Sequence, residues 1–328
     1  MSGGIPETCV YFKSGIGNLI QTTPALQALA SLDPTGQVDV CLCVSWASKD
    51  GRVLAMTDLL SALPVVRDTF LHPRGAKRDH YKRWFVPMMS ETSEAGRWVL
   101  RNSGGTNWPG EPWPESLRHE AAVNMDRVRK LHKYAGPTPQ KLMPVAPGPD
   151  LSGLPKPLIG LCNGAFGASM WCKKHWPHYA KLARSLRHYY GGTVIGIGGK
   201  GELDGVRLDV DYTGALPILE SARVIQQLDL LVTTDTACMH MADALGTDLV
   251  ALFGPTLVSK NAPVNPRAVV VRSPVRCAPC QYTQAFHTCS DYLCMSQISP
   301  PAVMERVRPL LLKKELASGG WQHAAAAA

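Results

Sequence analysis

Short apolar runs alternate with helix-like stretches along most of the chain. The runs are Cys9–Phe12, Val38–Val44, Leu158–Cys162, Thr193–Ile197, Leu230–Thr233 and Leu249–Phe253. Apolar residues with helical spacing lie between them, at Thr23–Leu32, Pro177–Tyr190, Leu216–Leu228 and Met239–Leu245. Buried parallel strands read as continuous apolar runs, and strands that alternate with helices form βαβ units. The pattern therefore predicts an α/β fold with parallel sheets.

A Pro- and Gly-rich stretch, PVAPGPDLSGLPKP, interrupts this pattern at residues 144–157. Proline cannot continue a helix or a central strand, so the stretch predicts a linker. We place an N-terminal domain at residues 1–147, a C-terminal domain at 158–299 and a final helix at 300–316. Both predicted domains have an ordinary domain size.

Composition and charge narrow the class of ligand and the compartment. The net charge of +8 suits anionic ligands such as nucleotides, phosphorylated lipids or nucleic acid, without choosing among them. No run of 18 apolar residues predicts a membrane span, and the N-terminus lacks the basic start of a secretory signal. We therefore expect a cytoplasmic protein whose ten cysteines stay reduced or bind metal.

A glycine-containing loop follows the first apolar run, in KSGIGNLIQTTPALQAL. Gly15 and Gly17 permit a close backbone approach, Thr22 or Thr23 can cap the next helix, and Pro24 suits its first turn. A glycine-rich loop that opens a helix can bind an anion, although a tight strand-to-helix turn fits the same residues. The dinucleotide fingerprint G-x-G-x-x-G is incomplete here, and no P-loop is present.

A lysine pair, Lys173 and Lys174, precedes Trp176-Pro177 and a predicted helix. A cation just before a helix is well placed for a phosphate that the helix N-terminus holds. The alternative is that both lysines are solvated surface charges.

The segment Leu231–Thr256 carries the second signal of this half. An apolar strand is followed by Asp235-Thr236, one of which would cap a helix that also carries His240 in its first turn. Free backbone N–H groups there can receive a diphosphate at the carboxyl end of the sheet, where open α/β folds bind ligands. A lone His at a helix start is more often structural, but its nearness to Asp235 and Thr236 favours a functional role.

These segments resemble the family 9 glycosyltransferases, the heptosyltransferase-like enzymes of lipopolysaccharide core assembly. The matching motifs occur in the family's order: GIGNLIQTTPALQAL, KKHWP, GGKGE and DTACMHMADALGTDLVALFGPT. The resemblance implies a GT-B fold, in which two Rossmann-like parallel-sheet domains face a cleft and the final helix crosses back to the N-terminal domain. It also implies an inverting enzyme that moves a sugar, here heptose from ADP-heptose, to a saccharide acceptor without a catalytic cofactor.

The resemblance assigns the donor to the C-terminal domain. Lys174 would contact the donor diphosphate, Glu202 would lie near the ribose, and Thr256 would sit at the rim. The complete set of predicted donor-binding residues is Gly17, Lys174, Glu202, Asp235, Thr236, Ala237, His240 and Thr256.

Two positions depart from the family's pattern. Ala237 stands where the family has Gly, and its methyl group can crowd the diphosphate. Asn18 stands at the catalytic loop position, where heptosyltransferases carry an Asp as the presumed general base. An amide cannot accept the proton of the acceptor hydroxyl. The base must then be another residue, with Asp50, Asp79 and Glu91 as candidates, or the chemistry is weak or absent.

A basic segment with aromatic residues lies in the predicted acceptor domain, at residues 72–85. Basic and aromatic side chains together can bind phosphate-bearing acceptors and stack on sugars or bases, although most charge runs are solvated loops. The predicted acceptor-binding residues are Arg74, Lys77, Arg78, Lys82 and Arg83.

Four of the ten cysteines lie within 18 residues, at Cys277, Cys280, Cys289 and Cys294. Four thiolates can bind Zn²⁺ tetrahedrally, so the segment is a candidate structural zinc site. Buried free thiols or oxidised pairs are the alternatives.

Three functions remain open from the sequence. The first is transfer of heptose to an anionic saccharide or lipid-linked acceptor such as the lipopolysaccharide core, at the inner face of the membrane. The second is the same transfer to another acceptor, such as a modified DNA base. The third is a sugar-nucleotide-binding protein without transferase activity, which Asn18 motivates. A nicotinamide dehydrogenase is disfavoured because G-x-G-x-x-G is missing.

Overall fold

The chain forms two units in a computed structural model, Met1–Pro144 and Val145–Ala328, hereafter the first and second units. The structure describes residues 4–12, 15–43, 52–72, 80–87, 118–164, 171–281 and 283–321. No helix within these ranges is long and apolar enough to cross a membrane. The division between the units falls at the start of the Pro- and Gly-rich stretch.

The first unit contains a four-stranded parallel sheet in the order β3-β2-β1-β4. Its strands are β1 (Thr8–Phe12), β2 (Val38–Cys43), β3 (Val66–His72) and β4 (Arg83–Phe85). Its described helices are α1 (Ile16–Leu32), α2 (Arg52–Ser61) and α3 (Glu120–His132). Every residue of β1 is buried, as a central parallel strand requires.

Helix α1 begins seven residues before the predicted start at Thr23, so Thr22 and Thr23 do not cap it and Pro24 lies inside it. Proline lacks the N–H that would donate to the carbonyl four residues earlier. That carbonyl belongs to Ile20, and the Thr23 hydroxyl donates to it at 2.8 Å. The helix continues through the proline because a side chain replaces the missing backbone donor.

The second unit contains a six-stranded parallel sheet in the order β10-β9-β8-β5-β6-β7. Its strands are β5 (Leu158–Cys162), β6 (Thr193–Gly196), β7 (Val210–Asp211), β8 (Leu230–Thr234), β9 (Leu249–Phe253) and β10 (Ala268–Arg272). Its helices are α4 (Tyr179–Tyr190), α5 (Ile218–Gln227), α6 (Ala237–Leu245), α7 (Val258–Asn261), α8 (Gln284–Thr288), α9 (Leu293–Ser296) and α10 (Pro300–Ala317), with a 3₁₀ turn at Trp171–Lys174.

Strand order marks where each sheet can bind a ligand. Counted from β5, the second sheet has the order 3-2-1-4-5-6, which is that of doubly wound dinucleotide-binding folds. The order in which successive strands join the sheet reverses between the parallel neighbours β5 and β8, and ligands bind beyond the carboxyl ends of such strands. The first sheet has the same arrangement around β1 and β4. Two Rossmann-like parallel-sheet units confirm the predicted fold class.

Helix α10 packs on the sheet of the second unit. Val303, Val307 and Leu311 are fully buried one turn apart and join the core that contains Trp176 and Val250. The predicted crossing of this helix to the N-terminal domain stays a prediction.

Candidate functional site

Three predicted donor residues meet beyond the carboxyl end of β8. The Asp235 carboxylate lies 3.9 Å from Lys174 Nζ and 3.8 Å from His240 Nε2. Asn261 Nδ2 donates to the same carboxylate at 3.0 Å, and Lys174 Nζ also donates to the Asp235 carbonyl at 2.5 Å. The sequence separates Lys174 from Asp235 by 61 residues, and the neighbouring strands β5 and β8 bring them together.

Asp235 is only 4% exposed, yet it stays anionic. Burial alone would raise its pKa, but the charges of Lys174 and His240 and the hydrogen bond from Asn261 outweigh burial and lower it. Thr256, predicted at the rim, is also buried, at 1% exposure. The cluster therefore holds a fixed negative charge beside a cation, at the place where the sheet can bind a ligand.

The start of α6 lies within this cluster. Thr236 is the N-cap residue in extended conformation, and its hydroxyl lies 3.3 Å from the Thr233 hydroxyl rather than capping the helix. Ala237 is the first helical residue and does not adopt a positive φ, so this position does not demand the glycine typical of the family. The first N–H groups of a helix lack partners within it, which suits an anion.

The segment before α4 is held in place by Asn163, which follows β5. Its side chain accepts from the Trp176 backbone N–H at 2.8 Å and donates to the Trp176 carbonyl at 3.2 Å. The Trp176 ring is fully buried and donates to the Ile298 carbonyl at 2.8 Å. These contacts fix the 3₁₀ turn that carries Lys174.

Neither lysine of the pair is a solvated surface charge. Lys173 is 6% exposed and donates to the carbonyls of Phe286 and His287. Its ammonium also lies 5.4 Å from the centre of the Phe286 ring. The side chain of Lys174 is 14% exposed, and its ammonium lies over the Trp171 ring. Lys173 therefore anchors the cysteine-rich segment, whereas Lys174 belongs to the Asp235 cluster.

Glu202 lies in a glycine-lined cradle next to β5 and β6. A Cβ atom at Gly198 would stand 2.3 Å from Glu202 Oε2, and one at Gly164 would stand 2.9 Å from it. Burial raises the pKa of Glu202, although a backbone hydrogen bond from Gly199 acts in the opposite direction. Within the described part of the chain, Oε2 is buried without a hydrogen-bond partner. A buried carboxylate oxygen in this state is a candidate partner for a ligand hydroxyl group.

Asn18 in the first unit contacts a carboxylate that sequence reasoning missed. Asn18 Nδ2 donates to both oxygens of Glu120, each at 2.8 Å, and Gln21 donates to Oε2 at 3.4 Å. Glu120 is 1% exposed and is the first residue of α3. It lies 102 residues from Asn18 in the chain, so no local motif could reveal the pair. Gly17, predicted with the donor residues, is in the first turn of α1 beside Asn18.

Two of the five predicted acceptor residues lie in the described part of the chain. Lys82 donates to Glu7 at 2.6 Å, and Arg83 lies 4.0 Å from the Asp33 carboxylate. Arg74, Lys77 and Arg78 lie outside the described residues, as do the candidate bases Asp50, Asp79 and Glu91. An acceptor role for the basic segment stays a prediction.

The four clustered cysteines are free thiols that differ in exposure. Cys277 is exposed, whereas Cys294 is 7% exposed and its Sγ lies against Gly254 in the core. Burial, together with smaller contributions from the other three thiols, raises the pKa of Cys294 to about 11. Within the described ranges no group of three or more His, Cys, Asp or Glu side chains is arranged to hold a metal ion, and the zinc site stays a prediction.

The sequence profile of Glycosyltransferase family 9 (heptosyltransferase) matches residues 114–289, slightly more than half of the chain. The chain belongs to glycosyltransferase family 9. The matched region includes the Asp235 cluster, the Glu202 cradle and Glu120. The chain is therefore a glycosyl transfer enzyme by family, and the predicted family is confirmed.

Curated relatives of this family 9 glycosyltransferase are described as heptosyltransferases, and they match the chain over different lengths. Lipopolysaccharide heptosyltransferase 2 of Salmonella typhimurium is 25% identical over 321 residues, which cover 80% of this chain and 87% of the relative. Lipooligosaccharide heptosyltransferase 2 of Haemophilus influenzae is 33% identical over 132 residues, which cover 36% of this chain and only 37% of the relative.

A solved structure shares the fold over almost the whole family 9 chain. It is ADP-heptose lipopolysaccharide heptosyltransferase II of E. coli, with a TM-score of 0.66 and 21% identity. The superposition covers 94% of this chain and 99% of the solved one. At this identity the likeness shows the fold.

Proposed function

We propose that this family 9 glycosyltransferase transfers heptose from ADP-heptose to an anionic saccharide acceptor of the lipopolysaccharide core, with inversion at the anomeric carbon. The observation that carries the proposal is the Lys174–Asp235–His240 cluster at the start of α6, at the point where strand order reverses. The names of the relatives supply the sugar and the acceptor class.

The donor diphosphate would bind where α6 begins. The helix N-terminus and Lys174 both favour negative charge there, and that charge grows as the bond between the sugar and the diphosphate breaks. The carboxylate of Asp235 and the imidazole of His240 would orient hydroxyl groups of the sugar. Glu202 Oε2, which lacks a hydrogen-bond partner among the described residues, would accept from the ribose.

Replacement of Asp235 tests this donor site. We expect Asp235→Ala to weaken ADP-heptose binding tenfold or more, equivalent to about 1.4 kcal/mol, because Lys174 and His240 lose the charge that holds them. Isothermal titration calorimetry with ADP-heptose, UDP-glucose and NAD measures both the affinity and the nucleotide class.

Asp248→Asn is the matched control for Asp235→Ala. Asp248 is equally buried, at 2% exposure, but it precedes β9 at the opposite end of the sheet and pairs with Arg267 at 2.8 Å. Its variant should bind ADP-heptose as the wild type does. Unchanged affinity in Asp235→Ala, or equal losses in both variants, would remove the donor site from this cluster.

The comparisons give no support to transfer onto a modified DNA base, because the matching relatives are described as heptosyltransferases. Measuring ADP release distinguishes an enzyme from a protein that only binds the sugar nucleotide. We expect ADP release from ADP-heptose to accelerate when heptose-deficient lipopolysaccharide is added and to remain unchanged with duplex DNA.

A further inference from the structure

We infer that Glu120 is the general base, the carboxylate that accepts the proton of the acceptor hydroxyl. This inference rests on the proposed transfer reaction and names a residue that the family's loop motif does not contain. It starts from the contact between Glu120 and Asn18, the side chain that stands in place of an aspartate.

The Asn18 side chain is held at both ends. Its Oδ1 accepts from the Gly15 backbone N–H at 3.2 Å, and its Nδ2 donates to both Glu120 oxygens at 2.8 Å. The amide therefore bridges the glycine-containing loop to the carboxylate. A negative charge stands one hydrogen bond behind the loop position that lacks its own carboxylate.

Burial gives this carboxylate its chemical significance. A buried anion is costly unless hydrogen bonds and charge compensate it, and Glu120 is 1% exposed. Asn18 and Gln21 donate to it, and its place at the first residue of α3 lets the helix dipole favour the anion. A hydrogen-bonded carboxylate with little water around it suits proton transfer.

Other buried carboxylates of the first unit are held elsewhere. Asp33 follows the far end of α1 and accepts from the Glu7 backbone and the Thr8 hydroxyl. Asp39 is near the start of β2 and accepts from Arg67 and Tyr81. Within the described part of this unit, Glu120 is the carboxylate that contacts the loop.

The transfer step uses the bond that Asn18 now makes. An acceptor hydroxyl takes the place of one Asn18 N–H on a Glu120 oxygen, so one hydrogen-bond donor replaces another. The acceptor oxygen then bonds to the anomeric carbon, while the bond from that carbon to the diphosphate oxygen breaks and its electron pair leaves with ADP. The hydroxyl proton moves to Glu120, which becomes a neutral carboxylic acid.

Glu120→Gln tests the inference, because it keeps the shape and removes the basic oxygen. General bases contribute roughly 10²–10⁴-fold, so we expect kcat to fall at least about a hundredfold. ADP-heptose affinity by calorimetry should stay within about twofold, since the donor residues lie in the second unit. The decline of wild-type kcat towards acid pH, which protonation of the base causes, should be absent in the variant.

A charge exchange separates chemistry from structural support. The double variant Asn18→Asp/Glu120→Gln keeps the side-chain hydrogen bond with donor and acceptor reversed. It should recover much of the lost kcat, and its kcat should again decline towards acid pH. Asn18→Asp alone puts two carboxylates in contact, where they share a proton, so it should not exceed wild-type turnover. If Glu120 were needed only for folding, the double variant would regain stability, but the pH dependence of its kcat would not change.

Asp126→Asn is the matched control, because it removes an exposed carboxylate from the same helix. It should leave kcat unchanged. If Glu120→Gln keeps near-wild-type kcat and still loses activity towards acid pH, the inference is overturned while the proposed function stands. If Glu120→Gln fails to fold, a double variant Asn18→Asp/Glu120→Gln that folds but is inactive overturns it instead. Wild-type protein that binds ADP-heptose but transfers nothing to heptose-deficient lipopolysaccharide contradicts the proposed function, and the role of Glu120 falls with it.

Discussion

Glu202 shows how a side chain that is suited to bind a ligand can lower the stability of the folded protein. The Glu202 carboxylate lies against glycines, and its Oε2 is buried without a partner within the described ranges. Burial makes its pKa higher in the folded protein than in the unfolded chain. Between the two pKa values the folded protein holds a proton that the unfolded chain has released, so stability falls as pH rises through this window.

Glu202→Gln should therefore raise stability and weaken donor binding at once. Near pH 7 we expect the variant to melt roughly 2–4 °C above wild type, the shift that about 1 kcal/mol produces in a domain of this size. The difference should vanish as pH falls below the ordinary pKa of a glutamate, where wild-type Glu202 is protonated in both states. Differential scanning fluorimetry across pH, with calorimetry of ADP binding, measures both effects. A lower melting temperature at pH 7 would contradict the account.

At the scale of a secondary-structure element, α1 shows that one hydroxyl can carry a helix through a proline. Thr23 Oγ1 donates to the Ile20 carbonyl at 2.8 Å and accepts from the Leu142 backbone N–H at 2.9 Å. The same atom thus replaces the donor that Pro24 lacks and ties the end of the first unit to the helix. Gly15 and Asn18 lie at the N-terminus of this helix, so its continuity positions the glycine-containing loop.

Thr23→Val should destabilise the first unit, because the Ile20 carbonyl and the Leu142 N–H both lose their partner. The expected cost is about 1–3 kcal/mol for buried polar groups left unsatisfied. Adding Pro24→Ala restores a backbone N–H for Ile20 and should recover part of the loss, which chemical denaturation of the three variants measures.

Thr57→Val in α2 is the control for Thr23→Val. The Thr57 hydroxyl donates at 2.8 Å to the Val53 carbonyl within a helix that contains no proline, so its loss should cost less. Equal destabilisation by the two valine variants would show that Thr23 has no special role in α1.

At the scale of the whole molecule, the proposed donor-binding residues are concentrated in one unit, whereas the positive charge is not. The residues proposed for the donor belong to the second unit, apart from Gly17, whereas the net charge of +8 is spread along the chain. The basic segment of the first unit has its described members, Lys82 and Arg83, close to carboxylates. An electrostatic role in acceptor capture therefore depends on Arg74, Lys77 and Arg78.

Replacing Arg74, Lys77 and Arg78 together with Ala should raise the acceptor KM several-fold at low salt and leave ADP-heptose affinity unchanged. Exposed cations attract an anionic acceptor at long range, and this attraction weakens above ~0.15 M salt, where the screening length is about 8 Å. Steady-state kinetics at two ionic strengths measures the effect.

A second triple variant removes the same charge elsewhere. Arg306, Arg308 and Lys313 are exposed on α10 of the second unit, and their replacement with Ala should leave acceptor KM unchanged. If both triple variants raise KM equally, net charge alone attracts the acceptor and the first-unit segment has no specific role.

Local sequence patterns predicted the strands well, but they did not predict the contacts between residues that are far apart in the chain. Strand β9 has the bounds that its apolar run indicates, because a fully buried parallel strand is continuous in apolar residues. The predicted start of α1 at Thr23 was wrong, because threonine and proline are common at helix starts but here lie inside the helix. Glu120 could not be found because its partner is 102 residues away, and the burial of Lys173 depends on carbonyls that follow it by more than 110 residues.

The hydroxyl that bridges α1 at Pro24 also constrains the order in which this helix could have evolved. A proline that arrived at position 24 without Thr23 would have left the Ile20 carbonyl buried and unsatisfied. A threonine that arrived first would have been tolerated, because its hydroxyl can bond to a carbonyl of the preceding turn in an ordinary helix. The accessible mutational path therefore passes through threonine before proline, and reversion must lose the proline first.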